Sequence, residues 1–145
     1  MSSPVKKAQP RAVLSEGEET ERAVQAMADF RMAEAALQRD DLVEADKLAR
    51  RAVSGDPTNA DYNAVVAWIG AMSGGAEAVP LAIAKLNVIL KDEALCERAL
   101  LYRGRLYKRA KRTTEALRDF MAVIDVNPKN AEAQGEARLL RMKKK

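Results

Sequence analysis

The sequence predicts an all-α fold of about seven helices paired as antiparallel hairpins. Composition is the first reason. Hydrophobic residues make up 48% of the chain but aromatics only 4%, alanine leads the apolar set, and 32% of residues are charged. That balance suits amphipathic helices packed on one another better than a sheet sandwich. Spacing is the second reason: apolar residues recur every three or four positions through most of the chain. The third is the run from Leu100 to Pro128, where small and large residues stand at fixed offsets around a polar turn, Lys111-Arg112-Thr113-Thr114.

At 145 residues the chain holds one domain plus tails. Cys96 is the sole cysteine, so no intramolecular disulfide forms, and a reducing compartment, the cytoplasm, is expected. No apolar run reaches the ~18–20 residues of a membrane span, and the N-terminus has no hydrophobic signal core. Membrane insertion is therefore not expected. Histidine is absent, which removes the usual general base and the commonest transition-metal ligand, and one cysteine cannot build a zinc site. A phosphate-binding glycine loop and a nucleophile with its base are also missing. The expectation is a non-catalytic protein without cofactor or metal.

Charge is uneven. Residues 1–96 carry 11 Lys and Arg against 15 Asp and Glu, whereas residues 97–145 carry 14 against 6. The halves thus differ in sign, net −4 and net +8. Such a split points to an acidic partner for the second half, or to a solvated basic face.

Taken in order, residues 1–20 hold two prolines and three serines without periodicity and read as a disordered tail or linker. Their composition resembles an interdomain junction, as in the C-terminal piece of a longer protein. From about Glu19, capped near Thr20 or Glu19, Val24, Met27, Phe30 or Met32 and Leu37 mark a helix to Gln38. Arg39-Asp40-Asp41 turns the chain, and Leu42, Ala45, Leu48, Ala49, Ala52 and Val53 form the second apolar stripe. Ser54-Gly55-Asp56-Pro57 ends it, glycine before proline, as helix ends prefer.

The next helix spans 61–72 and stops at Ser73-Gly74-Gly75. Its partner runs from about Val79 to Leu90, with Pro80 tolerated in the first turn. A third pair is expected from Glu93 to Lys111 and from Thr113 to Val126. Asn127-Pro128-Lys129-Asn130 opens a last helix, Ala131 to Met142, interrupted in propensity by Gly135, and Lys143-Lys144-Lys145 frays.

Overlaying the hairpins converts a helical protein into a fold. Measured back from Pro57, Ala33 takes the place of Gly104, Ala45 of Ala116, Ala49 of Phe120 and Ala52 of Val123, with no gap. Ala67, Ala82, Leu86 and Ile89 occupy the same slots in the middle unit once three extra residues are allowed near Gly74-Gly75. Gly104, Tyr107, Ala116, Phe120 and Pro128 together resemble the tetratricopeptide repeat, whose period is about 34 residues. Departures exist: the family's tryptophan slot holds Asp29, Asn63 and Leu100, and Ala94 replaces the closing proline of the middle unit.

The resemblance implies a right-handed superhelical stack of helix pairs within residues 21–145. Repeats would span about 26–59, 60–96 and 97–130, followed by a capping helix at 131–142. It implies that small residues let paired helices approach and that aromatics fill the gaps between repeats. It further implies that the first helix of each repeat lines a concave groove. The inward slots are then Met27, Phe30, Glu34 and Leu37; Asp61, Ala64, Trp68 and Met72; and Arg98, Leu101, Arg105, Lys108 and Arg109. The groove should be apolar at one end and basic at the other.

The function this implies is a protein-interaction adaptor or scaffold gripping an acidic, hydrophobic peptide or helix. Some repeats of this family clamp the C-terminal carboxylates of heat-shock chaperones. The corresponding slots here are Phe30, Glu34, Val65, Arg98 and Tyr102, of which only Arg98 suits a carboxylate. Trp68 fits either groove or core, and Met27, Phe30 and Met72 suit packing as well as binding. The cations Arg103, Arg105, Lys108, Arg109, Lys111 and Arg112 spread around their helix and read largely as solvated surface. The second function class is RNA or DNA binding through this basic repeat and the Arg138–Lys145 tail, although stacking aromatics are few. A secretion or folding chaperone of the same repeat type is the third.

Overall fold

The computed structural model describes residues 13–143, which form seven α-helices. They are α1 (Glu16–Gln38), α2 (Leu42–Gly55), α3 (Ala60–Ser73), α4 (Ala78–Asp92), α5 (Glu97–Arg109), α6 (Thr113–Val126) and α7 (Ala131–Lys143). No strand occurs among the described residues. Each helix packs on the next in chain order, and α3 also meets α5, so the first helices of the hairpins share one side. Residues 1–12 of the expected tail, and Lys144 and Lys145, lie outside the described residues.

Helix starts follow local chemistry. α1 begins at Glu16, three residues before the expected start, because Ser15 and Glu18 form a reciprocal cap. The Glu18 backbone N–H donates to Ser15 Oγ at 3.2 Å, and that hydroxyl donates to the Glu18 carboxylate at 3.0 Å. Thr20, expected near the cap, instead donates to the Glu16 carbonyl inside the helix. Asp41, Asn59 and Asn130 cap α2, α3 and α7 by accepting from backbone N–H groups three residues on. α5 begins at Glu97, four residues later than expected. Glu93 caps α4, and its carbonyl accepts from the Cys96 N–H at 3.1 Å, so residues 93–96 are a turn. α7 runs unbroken through Gly135.

Two of the three intra-hairpin turns are superposable in detail. Asp40 (φ 58°) and Lys111 (φ 60°) are the non-glycine residues with left-handed backbone among those described, and they occupy equivalent places after α1 and α5. In both turns the next N–H reaches back five residues, Asp41 to Ala36 and Arg112 to Tyr107, at 2.9 Å. The middle turn is built differently. Its three extra residues are shared out: one lengthens the end of α3, one the connection and one the start of α4. Gly74, at φ −97°, is not left-handed, so the glycines are not used for positive φ.

The core follows the alanine register. Ala33, Ala45, Ala49, Ala52, Ala64, Ala99, Ala116, Leu86, Leu106, Phe120 and Val123 are wholly buried. The equivalent pairs differ in how they divide volume: Ala33 with Ala49, Ala67 with Leu86, and Gly104 with Phe120. At Gly104 an added Cβ would stand 3.0 Å from the Phe120 ring, so glycine is what admits phenylalanine opposite. Phe120 therefore fills space inside its own hairpin, a role the family pattern had not implied for it.

One member of the basic run belongs to this interior. Arg103 donates twice to the buried Asp119 carboxylate of α6, at 2.7 and 2.9 Å, and once to Asn87 Oδ1 of α4 at 2.9 Å. Its side chain is only 21% exposed, so the expectation of solvated surface fails at this position. The departures at the family's tryptophan slot have local uses. Leu100 is buried, Asp29 accepts from Gln25, and Asn63 donates to the carbonyls of Pro57 and Asn59, tying down the turn before α3.

Candidate functional site

α1, α3 and α5 place most of the expected groove residues around an aromatic pair. Trp68 of α3 and Tyr102 of α5 stack with centroids 5.0 Å apart and planes at 13°. Tyr102 is buried and Trp68 half-buried, so the tryptophan is neither plain core nor free surface. The Arg105 guanidinium lies 5.0 Å from the Trp68 centroid and 5.4 Å from that of Tyr102, and Arg109 lies 5.7 Å from Trp68.

Two depressions flank this pair. One, of about 530 Å³, is lined by Glu34, Leu37, Trp68, Met72, Arg98 and Arg105, with Tyr102 and the start of α2. The other, of about 610 Å³, is lined by Asp61, Arg98, Leu101 and Arg105, with Tyr102, Leu95 and Cys96. They share Arg98, Tyr102 and Arg105 and so adjoin along α5, and together they constitute the candidate groove.

The remaining expected residues sit elsewhere. Met27 is 48% exposed on α1 but lines neither depression, and Phe30 packs on Tyr62 with centroids 4.6 Å apart. Lys108 and Arg109 stand beyond the depressions. Ala64 is wholly buried and presents no atom to a ligand, because alanine at this slot sinks below its larger neighbours.

The electrostatics depart most from the expectation of a basic end. Arg98 meets Glu34 of α1 at 2.5 Å and Asp61 of α3 at 3.5 Å, and lies over the Phe30 ring at 4.9 Å. Arg105 grips Glu132 of α7 with two bonds, at 2.5 and 2.6 Å, and Lys108 pairs with Glu136 of α7 at 2.7 Å. Outside the groove Arg112 pairs with Glu115. Arg109 has no carboxylate partner among the described residues and leans on Trp68 instead. Of the four cations expected in the groove, Arg98, Arg105 and Lys108 are thus neutralised by carboxylates of the chain itself.

The titratable groups respond accordingly. The hydrogen bond to Glu132 raises the Arg105 pKa above its ordinary value, against the effect of burial. Burial raises the Tyr102 hydroxyl, opposed by hydrogen bonding to Arg98. Burial likewise raises the Cys96 thiol, which donates to Asp61 at 3.6 Å, so it stays protonated near neutral pH. The chaperone-clamp slots fare as their residues suggest: Val65 is buried and Arg98 is already held by Glu34.

Tyr102, named from the sequence only as a clamp slot, lines both depressions, and two glutamates of α7 that were not named hold Arg105 and Lys108. Tyr102 follows Arg98 by four positions and precedes Arg105 by three, a spacing that puts all three on one helix face. That was a usable signal. Glu132 and Glu136 gave none, because they lie on the cap helix and meet Arg105 and Lys108 only once α7 has docked on α6. Among the described residues no group of His, Cys, Asp and Glu could hold a metal ion, and no helix is long and apolar enough to cross a membrane.

No protein-family model matches the sequence, and no curated protein does. Several solved structures share its shape. The first TPR of Spaghetti (RPAP3) bound to the HSP90 peptide SRMEEVD superposes with a TM-score of 0.69 at 18% identity, over 83% of this chain and 95% of that one. The Arabidopsis OM64 TPR domain gives 0.67 at 19% identity, over 83% and 98%. The Yersinia enterocolitica type III secretion chaperone SycD, in complex with a peptide of the translocator YopD, gives 0.61 at 11% identity, over 82% and 94%. Identities this low speak to fold alone. The fold is that of tetratricopeptide repeats, three hairpins with a capping helix.

Proposed function

We propose that this chain is a non-catalytic, cytoplasmic interaction adaptor whose concave groove holds an extended or helical segment of a partner protein. An apolar anchor of the partner rests against Trp68 and Tyr102, and an acidic residue beside that anchor turns towards Arg109. The observation that carries this reading is the half-buried Trp68, which lines one depression and stacks on Tyr102, a residue that lines both. A large aromatic surface with a polar rim is the usual anatomy of a binding hot spot. The likeness in fold to domains solved with an HSP90 peptide and a YopD peptide supports a peptide as ligand, without supporting either peptide.

Nucleic acid is less well supported by the same geometry. Phosphate tracking needs cations free to release counterions. Arg103, Arg105, Lys108 and Arg112 each already face a carboxylate.

Selection of random displayed peptides against the immobilised protein tests the reading. Enriched peptides should carry an apolar anchor next to an acidic residue, and Trp68→Ala should weaken them about 30-fold, the effect of one interface hot spot. Because Trp68 is the only tryptophan, its acrylamide quenching should fall when such a peptide is added. No enrichment, or equal affinity for wild type and Trp68→Ala, would overturn the proposal.

A further inference from the structure

The pairing of Arg105 and Lys108 with α7 has a consequence for what the groove accepts. Arg105 lies over both rings of the aromatic pair, and its guanidinium is at the same time bonded to Glu132. Lys108, one turn further along α5, is engaged by Glu136, one turn further along α7. The two carboxylates therefore stand on consecutive turns of α7 and face two cations on consecutive turns of α5. α7 itself is fixed by other contacts, with Ala133, Ala137 and Leu140 buried in the common core. The carboxylates can thus let go while the helix stays docked.

We infer that Glu132 and Glu136 determine the charge selectivity of the groove, acting as a built-in competitor for acidic partner residues. The inference rests on the groove reading above. In the free protein they occupy the places that the carboxylates of an acidic segment would take. Such a segment gains those cations only by exchanging one carboxylate for another, which yields little, since both states are charge-paired. An acidic residue is favoured only beside Arg109, which lies 5.7 Å from the Trp68 ring centroid outside the two depressions and has no carboxylate partner among the described residues. The groove consequently takes segments with one acidic residue next to an apolar anchor and discriminates against polyacidic ones. Neutralising the two glutamates should convert it into a receptor for polyacidic segments.

The alternative is that the pairs only clamp α7 to α5. The two roles separate on charge-matched probes. An acetylated, amidated peptide of alternating Leu and Glu-Glu units is titrated against wild type and Glu132→Gln with Glu136→Gln, followed by Trp68 fluorescence. The same peptide with every Glu replaced by Gln serves as control. The double variant should bind the glutamate peptide about tenfold more tightly than wild type, an increment expected for freeing two partly exposed cations. Affinity for the glutamine peptide should not change. If the double variant melts below working temperature, the single variants carry the test with about threefold gains each. An unchanged affinity for the glutamate peptide, or equal changes for both peptides, overturns the inference. The groove reading fails separately, through loss of Trp68 dependence in the selected peptides.

Discussion

Arg103 shows how much of this protein depends on single long side chains. In sequence it is one of six cations between residues 103 and 112; in the structure it joins α4, α5 and α6 through Asn87 and Asp119. Asp119 is 2% exposed, so removing its partner strands a buried carboxylate. Arg103→Ala should destabilise the protein by about 3 kcal/mol, as expected when one member of a buried pair is deleted. Urea unfolding followed by circular dichroism reads this directly. Adding Asp119→Leu should recover most of the loss, because a neutral, apolar pair leaves no charge to desolvate. If Arg103→Ala costs less than about 1 kcal/mol, the pair is solvated and the interior reading is wrong. The sequence could not distinguish Arg103 from Arg109, since both recur on one helix. Only the position of α6 decides which of them meets a carboxylate.

At the level of elements, the helices and several of their bounds were legible, among them the turn at 39–41 and the whole of α6, whereas the backbone conformation of the turns was not. Apolar spacing is a local property, so Leu42, Ala45, Leu48, Ala49 and Ala52 define α2 without knowledge of the rest. Turns depend on where the next helix must go. The glycine pair Gly74-Gly75 marks the end of α3 as expected, yet the left-handed residues are Asp40 and Lys111, in the turns without glycine. The short connections after α1 and α5 require that backbone, and the longer one after α3 does not. A Cβ in the left-handed region costs roughly 1–2 kcal/mol, less for aspartate, whose side chain can bond locally. Lys111→Gly should therefore raise stability by about 0.5–1 kcal/mol net of the extra freedom of the unfolded chain, and Asp40→Gly by less. Thermal melts should place Lys111→Gly about 2–4 °C above wild type. A lower melting temperature for Lys111→Gly would mean that the lysine side chain, and not the turn, sets stability there.

For the whole molecule, the charge asymmetry of the chain is folded into contacts between repeats. Cations of α5 reach Glu34 on α1, Asp61 on α3, and Glu132 and Glu136 on α7. The net charges of the two halves were legible; which carboxylates the cations of α5 meet was not, because Arg98 finds its partners in the acidic half while Arg105 and Lys108 find theirs on α7 of the basic half, and both sets meet only once the helices are stacked. This arrangement gives α7 two duties, covering the last hairpin and setting the charge of the groove. A chain ending at Asn130 separates them from the rest. It exposes what Ala133, Ala137 and Leu140 cover, a loss of about 3–5 kcal/mol from apolar burial. In a stack where each unit is stabilised mainly by its neighbours, that loss falls first on the adjoining hairpin. Hydrogen exchange of the shortened chain should show α5 and α6 losing most of their protection while α1 and α2 keep theirs. Equal loss throughout would instead indicate a single cooperative unit, in which Arg98, bridging α5 to both α1 and α3, transmits the effect of the cap to the far end of the molecule.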